Sequence, residues 1–204
     1  MGNYISSIDA KMLAQVSYKD LGFDNDSEYE GWLDGILIPQ VEALLERYCG
    51  GLPSGFFKTA GVTVTSELHD YNKHFITLDY RPATIVTTVE LNQAACGETA
   101  SWTATTKYVA NLRAGYIKLV NVYPSCYDQG VRVTYTAGYA AMPGDIELIA
   151  GQLCSNVLHG ILQRKVNPIV QVGDFSVRVL IPEAFTTELK NRLKPYIQQR
   201  VSVG

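Results

Sequence analysis

Apolar side chains recur every three to four residues in four segments of the chain, which is the spacing of one helix face. The first segment runs from Ile5 to Val16 and the second from Ser27 to Tyr48. The third begins after Pro143, and the last follows Pro182. The pattern therefore predicts about four amphipathic helices, two in each terminal region of the chain.

The first two predicted helices carry their own start and stop signals. The apolar face of the first helix consists of Ile5, Ile8, Met12, Leu13 and Val16. This helix should end before the turn-like stretch from Lys19 to Asp26. Ser27 and Glu30 have the spacing of a capping box at the start of the second helix. Pro39 lies inside that helix and lacks a backbone donor, which predicts a kink or a break.

Between residues 61 and 140 the pattern changes to runs of β-branched and aromatic residues, which favour strands. The runs are VTVTSEL, HFITLDY, TIVTTVEL, KYVANL, GYIKLVNVY and VRVTYTAGY. In the last run Val131, Val133 and Tyr135 alternate with polar residues, as on a strand with one buried face. Arg81-Pro82 predicts a strand exit, because proline cannot donate to a central ladder.

A further strand-like stretch, IVQVGDFSVRVLI, follows the third helix and predicts a hairpin with Gly173 and Asp174 at its tip. The sequence thus predicts an α+β fold, a helical bundle of about four helices with an inserted antiparallel β lobe and a C-terminal β-hairpin. Residues 1–60 and 141–204 are assigned to the helical lobe, and residues 61–140 to the inserted β lobe.

Composition indicates a folded, globular chain. Hydrophobic residues make up 47% of the 204 residues and charged residues 18%, which is far from the composition of disordered segments. No apolar run approaches the ~18 residues that a membrane span needs, and the N-terminus has no signal-peptide pattern. We therefore expect a soluble protein that folds in the cytoplasm and binds no membrane.

Charge is distributed unevenly along the chain. The net charge of -3 argues against a general nucleic-acid binder, whose affinity comes from neutralising phosphates. Residues 1–50 hold three Lys and Arg against nine Asp and Glu, whereas residues 151–204 hold seven against three. This asymmetry suits head-to-tail packing between copies or docking onto an acidic partner. The alternative is two solvated faces of one monomer.

The four cysteines, Cys49, Cys96, Cys126 and Cys154, include no CxxC pair, so neither a zinc knuckle nor a redox pair is predicted. We expect small buried thiols. A bridge between Cys96 and Cys126 is the alternative, but structural disulfides are rare in a reducing cytoplasm. Free thiols are therefore expected.

Candidate catalytic residues are few. Nucleophilic catalysis needs a Ser or Cys beside an oriented base, and the three histidines, His69, His74 and His159, lie in no catalytic frame. His69, Asp70 and His74 have the side chains of metal ligands, but their HDxxxH spacing is not a specific motif. No phosphate-binding glycine loop occurs. We predict no catalytic residue, no cofactor and no metal.

The segment VRVTYTAGYAAMP, from Val131 to Pro143, leads into an apolar helix. It resembles the most recognisable stretch of the head-tail connector (adaptor) proteins of tailed bacteriophages. Gly138 permits a tight backbone exit from the strand, and Pro143 fixes the approach to the helix. Further similar pieces follow in the order of the family: VEALLERYCG, TLDYRPATIVTTV, YIKL, VGDFSV and LKPY. Two features depart from the pattern of the family: Pro39 inside the second helix, and the extended β region, which suggests the longer-insert type.

The resemblance implies a structural subunit of the virion neck rather than an enzyme. It implies a ring of about twelve copies below the portal, closed by a heterologous interface. The ring would extend the DNA channel and offer a platform to a stopper or tail-completion protein, after assembly in the host cytoplasm. Double-stranded DNA would pass through without specific binding. The C-terminal segment would reach the portal protein through Lys190, Arg192, Lys194, Tyr196 and Arg200.

Two other functions stay open. The thirteen tyrosines suit a small β-lobed binding module that recognises a ligand or a host surface, because amphipathic aromatic side chains often serve interfaces. A metal-dependent enzyme would use His69, Asp70 and His74.

Overall fold

The computed structural model describes residues 4–71, 75–166 and 185–198. The chain divides into a helical unit, drawn from Met1–Ser54 and Met142–Gln199, and a β unit, Gly55–Ala141. Helices together with antiparallel sheets confirm the predicted α+β class. The predicted C-terminal hairpin, with VGDFS at its centre, lies outside the described residues. Among the described residues, no helix combines the length and the hydropathy that a membrane crossing requires.

The helical unit contains helices from both ends of the chain. In chain order they are α1 (Ser7–Ala14), α2 (Tyr18–Leu21), α3 (Asp26–Trp32), a π-helical turn (Leu33–Leu37), α4 (Ile38–Tyr48), α5 (Gly144–Val166), α6 (Thr187–Leu193) and a 3-10 turn (Lys194–Tyr196). Helix α5 ends at Val166.

Helix α1 is buried through small residues rather than through its predicted apolar face. The small buried residues are Ser7, Ala10 and Ala14. Three large apolar residues are exposed instead: Ile8 (59%), Met12 (72%) and Leu13 (44%). On α5, Gly151 allows the two helices to approach, since a Cβ there would lie 2.2 Å from Leu13 Cδ1. The predicted face is therefore wrong at three of its five positions, because small side chains permit the closest packing of two helices.

The chain between α1 and α3 is helical where a turn was predicted. Helix α2 begins with a capping box, in which Ser17 and Asp20 accept hydrogen bonds from each other's backbone N–H, and it ends at Gly22 with a left-handed φ of 84°. Helix α3 is capped by Asn25, whose side chain accepts a bond from the Glu28 N–H at 2.9 Å. The predicted capping box at Ser27 is therefore wrong, because Asn is as strong an N-cap and stands two residues earlier.

Pro39 was predicted to kink or break the second helix, and the structure shows an irregularity in the turn before it. The π-helical turn lets the Ile38 N–H bond to the Leu33 carbonyl, five residues back. Proline in a regular helix clashes with the carbonyl four residues earlier, and the wider turn relieves this clash. The helical path continues from α3 into α4 without a break.

The β unit contains two antiparallel sheets. Their strands are β1 (Val62–His69), β2 (Ile76–Thr77), β3 (Ala83–Asn92), β4 (Trp102–Thr105), β5 (Tyr108–Asn111), β6 (Tyr116–Leu119) and β7 (Val131–Ala137). One sheet has the order β1-β7-β3-β4 and the other β2-β6-β5. Strand β4 was not predicted. It joins the sheet by antiparallel pairing with β3. Arg132 of β7 bonds Glu90 of β3 at 2.8 Å and lies over the Trp102 ring at 4.6 Å.

A β-bulge in β1 exchanges the two faces of that strand. Ser66 has a left-handed φ of 57°, and the pairing with β7 shifts between Val64 and Glu67. Bulges insert one residue and re-aim the side chains that follow. As a result Glu67 points inward, while Leu68 is exposed.

The strand exit at Gly138 confirms the need for a glycine. Gly138 has a φ of +114°, and a Cβ there would lie 2.3 Å from the Phe56 carbonyl oxygen. Gly61 approaches the same place, where a Cβ would lie 2.1 Å from the Ala137 oxygen. A side chain at either glycine would therefore push backbone apart.

Cys96 and Cys126 form a disulfide, which overturns the expectation of free thiols at these positions. Strand pairing explains it. Because the end of β3 pairs with the start of β7, the segment that follows β3 lies beside the segment that precedes β7. The hydrogen bond from the Ser125 N–H to the Asn92 carbonyl shows this contact. The remaining two cysteines, Cys49 and Cys154, are buried thiols as predicted.

Candidate assembly surface

Helix α6 and the turn that follows it expose three cations. The Thr186 side chain caps the helix by accepting from the Leu189 N–H at 3.3 Å, and Leu189 and Leu193 are buried. The side chains on its other faces are exposed, as are Lys194 and Pro195 of the following 3-10 turn. We call the three exposed cations of the helix and the turn the basic C-terminal surface: Lys190, Arg192 and Lys194.

The five residues predicted to face the portal have different surroundings. Lys190 and Lys194 are exposed. Arg192 bonds Glu188 at 2.7 Å, one helical turn earlier, and such exposed pairs contribute only about 0.3–0.5 kcal/mol. Tyr196 is half-buried, and its hydroxyl bonds Asp145 in the first turn of α5 at 2.5 Å. Arg200 lies outside the described residues.

The end of the described chain is attached to the end of α4. The Gln198 N–H bonds the Cys49 carbonyl at 2.8 Å. Nearby, the rings of Tyr48 and Phe185 stack at 4.9 Å between centroids. Helix α6 and its cations therefore have a defined position in the helical unit.

The opposite charge is concentrated between α2 and α3. Its exposed members form the acidic N-terminal surface: Asp20, Asp24, Asp26 and Glu28. Lys11 pairs with Asp26 at 2.8 Å and with Glu30 at 2.5 Å, and these bonds raise the Lys11 pKa. The Ser17 hydroxyl lowers the pKa of Asp20. The acidic N-terminal surface is therefore opposite in sign to the basic C-terminal surface, with Lys11 offsetting Asp26.

A polar network lies inside the β unit. Tyr135 is fully buried and donates to Glu67 at 2.6 Å, while the Tyr80 N–H donates to Tyr135 at 3.2 Å. His69 Nε2 lies 2.6 Å from the other Glu67 oxygen, which also accepts from the Asp79 N–H at 3.0 Å. Burial acts to raise the pKa of Glu67, but these contacts together lower it below its ordinary value. A buried carboxylate with this set of donors is a satisfied structural group.

The two free cysteines are not activated nucleophiles. Burial raises the pKa of both Cys49 and Cys154 to about 12, and nearby Glu46 and Glu42 add to the effect. Those two carboxylates are themselves buried and accept bonds from the hydroxyl and the N–H of Tyr4. Since the thiolate is the reactive form of cysteine, neither thiol attacks at neutral pH.

The candidate metal ligands have other contacts. His69 contacts Glu67, and Asp70 accepts from the Gln129 N–H at 2.8 Å. His74 lies outside the described residues, and His159 is exposed on α5. Within the described part of the chain, no group of three or more His, Cys, Asp or Glu side chains could hold a metal ion.

Three tyrosines form a cluster on the β unit. Tyr71 stacks on Tyr127 at 5.6 Å and meets Tyr123 at 6.0 Å. Tyr123 and Tyr127 are 61% and 51% exposed. Tyr127 adjoins the bridged Cys126, so the disulfide places it near the segment that follows β3.

No protein-family model and no curated protein matches the sequence. Solved structures do match. A chain in the neck of an empty GTA particle, computed with C6 symmetry, is similar in fold, with a TM-score of 0.50 and 16% identity. The alignment covers 97% of this chain and 91% of that chain.

Two further matches come from related particles. A chain in the virion of the native gene transfer agent (GTA) particle has a TM-score of 0.47 and 16% identity, over 100% of this chain and 94% of that chain. A chain in the neck of the native GTA particle, computed with C12 symmetry, has a TM-score of 0.44 and 18% identity. The alignment covers 87% of this chain and 90% of that chain. Identities this low show a shared fold alone, and these two weaker matches support no further conclusion.

Proposed function

We propose that this chain is a structural subunit of the neck of a phage-like particle, and that it assembles into a ring below the portal. The observation that carries the proposal is the fold shared with a chain of a GTA particle neck over 97% of this chain. The ordered motifs that resemble head-tail adaptors, VRVTYTAGYAAMP above all, support it independently.

The ring is proposed to be a dodecamer that extends the DNA channel and presents a platform for a stopper or tail-completion protein. A ring of twelve is compatible with the sixfold symmetry of the neck that contains the similar chain. The chain has a net charge of -3, and a channel wall without strong positive charge lets a DNA duplex slide.

The portal-facing residues are proposed to be Lys190, Arg192, Lys194, Tyr196 and Arg200. The first three form the exposed basic C-terminal surface, which offers cations to a carboxylate-bearing partner. Tyr196 holds the adjoining 3-10 turn against Asp145 and so orients that surface.

Mixing the purified protein with portal rings and imaging the product by electron microscopy tests the proposal. We expect twelvefold collars on the portal. A triple variant with Lys190, Arg192 and Lys194 changed to Glu should lose the collars, because the surface changes sign. The matched control changes three exposed lysines of the β unit, Lys58, Lys107 and Lys118, to Glu and should retain them.

Wild-type protein that stays free in the presence of portal rings would contradict the ring function. Collars that survive the basic-surface variant would leave the ring function standing and refute the assignment of the portal-facing residues. Collars with a different number of subunits would refute only the dodecamer.

One observation favours a second function, a β-lobed module that binds a ligand or host surface. The exposed rings of Tyr123 and Tyr127 stand beside Tyr71, and clustered tyrosines are common at binding surfaces. Changing Tyr123 and Tyr127 to Ser separates the two functions. Retained collars with loss of adsorption to host cells would support the module, and loss of neither activity would exclude the cluster from binding.

A further inference from the structure

The disulfide of the β unit joins two segments that differ in exposure. Cys96 lies in the connection between β3 and β4, residues 93–101, which we call the β3–β4 loop, and it is exposed. Cys126 lies in the segment before β7 and is only 6% exposed. A reagent in solution therefore reaches Cys96 more readily than Cys126.

The base of the β3–β4 loop is closed without the disulfide. The buried Asn92 side chain accepts hydrogen bonds from the N–H groups of Ala94 and Ser101, at 3.0 and 3.1 Å. The Gln93 N–H donates to the Ser101 carbonyl at 2.8 Å. The disulfide fastens the loop beyond this base to the segment before β7. Opening the disulfide would therefore release the loop and leave its base closed.

The segment that contains Cys126 is held by backbone hydrogen bonds on both sides of the cysteine. The Ser125 N–H donates to the Asn92 carbonyl at 2.8 Å. The Tyr127 carbonyl accepts from the Tyr71 N–H, also at 2.8 Å. Neither bond involves the sulfur of Cys126. The segment can therefore keep its place when the disulfide opens, and the structural change is confined to the β3–β4 loop.

The other cysteines of the chain take no part in disulfide exchange. Cys49 and Cys154 are buried thiols, and burial raises the pKa of both to about 12. The thiolate is the form of cysteine that attacks a disulfide, so neither thiol exchanges at neutral pH. The chain has four cysteines, which confines the exchange to Cys96 and Cys126.

We propose that Cys96 and Cys126 form a redox-sensitive latch on the β3–β4 loop. The inference rests on the proposed neck function, in which the subunit assembles inside a reducing cytoplasm and leaves the cell within a particle. The pair is two thiols during assembly and a disulfide after release, because exposed disulfides are labile whereas structural ones resist cytoplasmic glutathione. The closed latch holds the loop against the rest of the β unit in the finished particle.

Closing the latch consumes a low-molecular-weight disulfide such as oxidised glutathione. The Cys96 thiolate attacks one sulfur of this oxidant and displaces a thiolate, which leaves a mixed disulfide on Cys96. The Cys126 thiolate then attacks the Cys96 sulfur and displaces the second thiolate. The two protons of the protein thiols pass to the two released thiolates. The protein thus loses two electrons and the oxidant gains them.

Equilibration of the full-length protein with glutathione tests whether the latch opens and closes. Samples are kept in excess reduced glutathione or in oxidised glutathione, and alkylation followed by mass spectrometry gives the fraction of each cysteine that is free. We expect at least about 90% of the pair to be open in the first buffer and closed in the second. A pair that stays closed in reduced glutathione is a permanent structural bond, and this result would overturn the proposal.

Two single variants test the assigned order of attack. With oxidised glutathione, Cys126→Ser should form a mixed disulfide at Cys96, whose side chain is exposed. Cys96→Ser is the matched variant, and its Cys126 should react about tenfold more slowly because the residue is buried. Equal rates would contradict the entry through Cys96.

Cleavage by a glutamyl endopeptidase reports the state of the loop. Glu98 is exposed within the β3–β4 loop, and Glu188 is exposed on α6. We expect the reduced protein to be cut after Glu98 about tenfold faster than the oxidised protein, with no change at Glu188. The double variant Cys96→Ser, Cys126→Ser should behave like the reduced protein in either buffer. Equal cleavage after Glu98 in both states would show that the disulfide does not hold the loop.

Collar formation on portal rings separates the latch from the ring function. The double variant should form collars as wild type does, because assembly takes place with the latch open. Collars that require the closed disulfide would overturn the proposal and leave the ring function standing. If wild-type protein forms no collars in either state, the ring function fails, and the glutathione equilibration still decides whether the pair opens and closes.

Discussion

The β unit and the helical unit both depart from a simple apolar-in, polar-out arrangement, and they do so in different ways. In the β unit a bulge turns Glu67 inward and leaves Leu68 exposed. In the helical unit α1 buries Ala10 and Ala14 and leaves Met12 exposed. The β unit compensates internally, because Tyr135 and the Asp79 N–H bond the buried carboxylate.

The two departures indicate where a partner would bind. A buried polar group with all its bonds made requires nothing from outside the unit. Exposed apolar side chains such as Met12 gain most from being covered, because burial stabilises by roughly 25 cal/mol for each Å² of apolar surface. Four predictions test this contrast, beginning with the greatest loss of stability.

Gly138→Ala should have the largest effect of the four, because it tests a close backbone contact in the β unit. We expect the free energy of unfolding to fall by about 4 kcal/mol, from strain at positive φ together with the clash against the Phe56 oxygen. Gly97 also has a positive φ, but a Cβ at Gly97 would have no atom within 4 Å. Gly97→Ala is therefore the control, with a loss of about 1 kcal/mol in urea unfolding. Equal losses would show that the clash with the Phe56 oxygen does not contribute to the loss of stability at Gly138.

Opening the disulfide of the β unit should have the next largest effect. The cysteines are separated by 30 residues, and a closed loop of that size stabilises a fold by about 3 kcal/mol. The double variant Cys96→Ser, Cys126→Ser should lose this amount in urea unfolding. Dithiothreitol should lower the stability of wild type to the same level and leave the double variant unchanged, whereas equal stability of wild type with and without the reductant would contradict the prediction.

Two substitutions on α1 probe the helical unit directly. Ala10 is fully buried, so Ala10→Leu overpacks the helix contact and should lower the free energy of unfolding by about 2 kcal/mol. Met12→Gln, two residues away, should change it by less than about 0.5 kcal/mol, because the side chain is exposed. Thermal unfolding of the two variants side by side compares their losses of stability. A larger loss for Met12→Gln than for Ala10→Leu would support the originally predicted apolar face.

The smallest effect concerns the pH dependence of the β unit. The folded-state pKa of Glu67 lies below its ordinary value of 4.5, so its ionised form stabilises the fold. This contribution is complete above the unfolded-state pKa and disappears as the pH falls through the folded-state pKa. The free energy of unfolding of Glu67→Gln, measured with urea, should therefore decline less steeply below about pH 5 than that of wild type. A steeper decline in the variant would mean that the carboxylate destabilises the fold.

Strand patterns predicted much of the β unit. Residues of β7 alternate between the buried and the outer face as expected from Val131, Val133 and Tyr135. Strand β4 was missed because its place in the sheet depends on antiparallel pairing with β3, in which Asn92 lies opposite Trp102. The disulfide was missed for the same reason, since it depends on the pairing of β3 with β7.

The helical unit was predicted less well in its details. The positions of the long helices followed from apolar spacing, but the buried face of α1 depends on Gly151 of α5, far away along the chain. Sequence spacing contains no information about such a contact. Of the candidate site, the charge of the basic C-terminal surface was predictable, whereas the bond of Tyr196 to Asp145 was not.

The π-helical turn before Pro39 has a consequence for how the chain tolerates insertions and deletions. A π-turn accommodates one residue more than the regular helix would, and each helical residue turns the chain by about 100°. Deleting Gly35 would close the wide turn to a regular one, and α4 would keep roughly its orientation about its own axis, because the wide turn already contained the extra residue. Val41 and Leu45, now buried, would still face the core, whereas Pro39 would stand in a regular helix and clash with the carbonyl four residues earlier. A deletion in this segment should therefore be tolerated best when Pro39 is replaced at the same time.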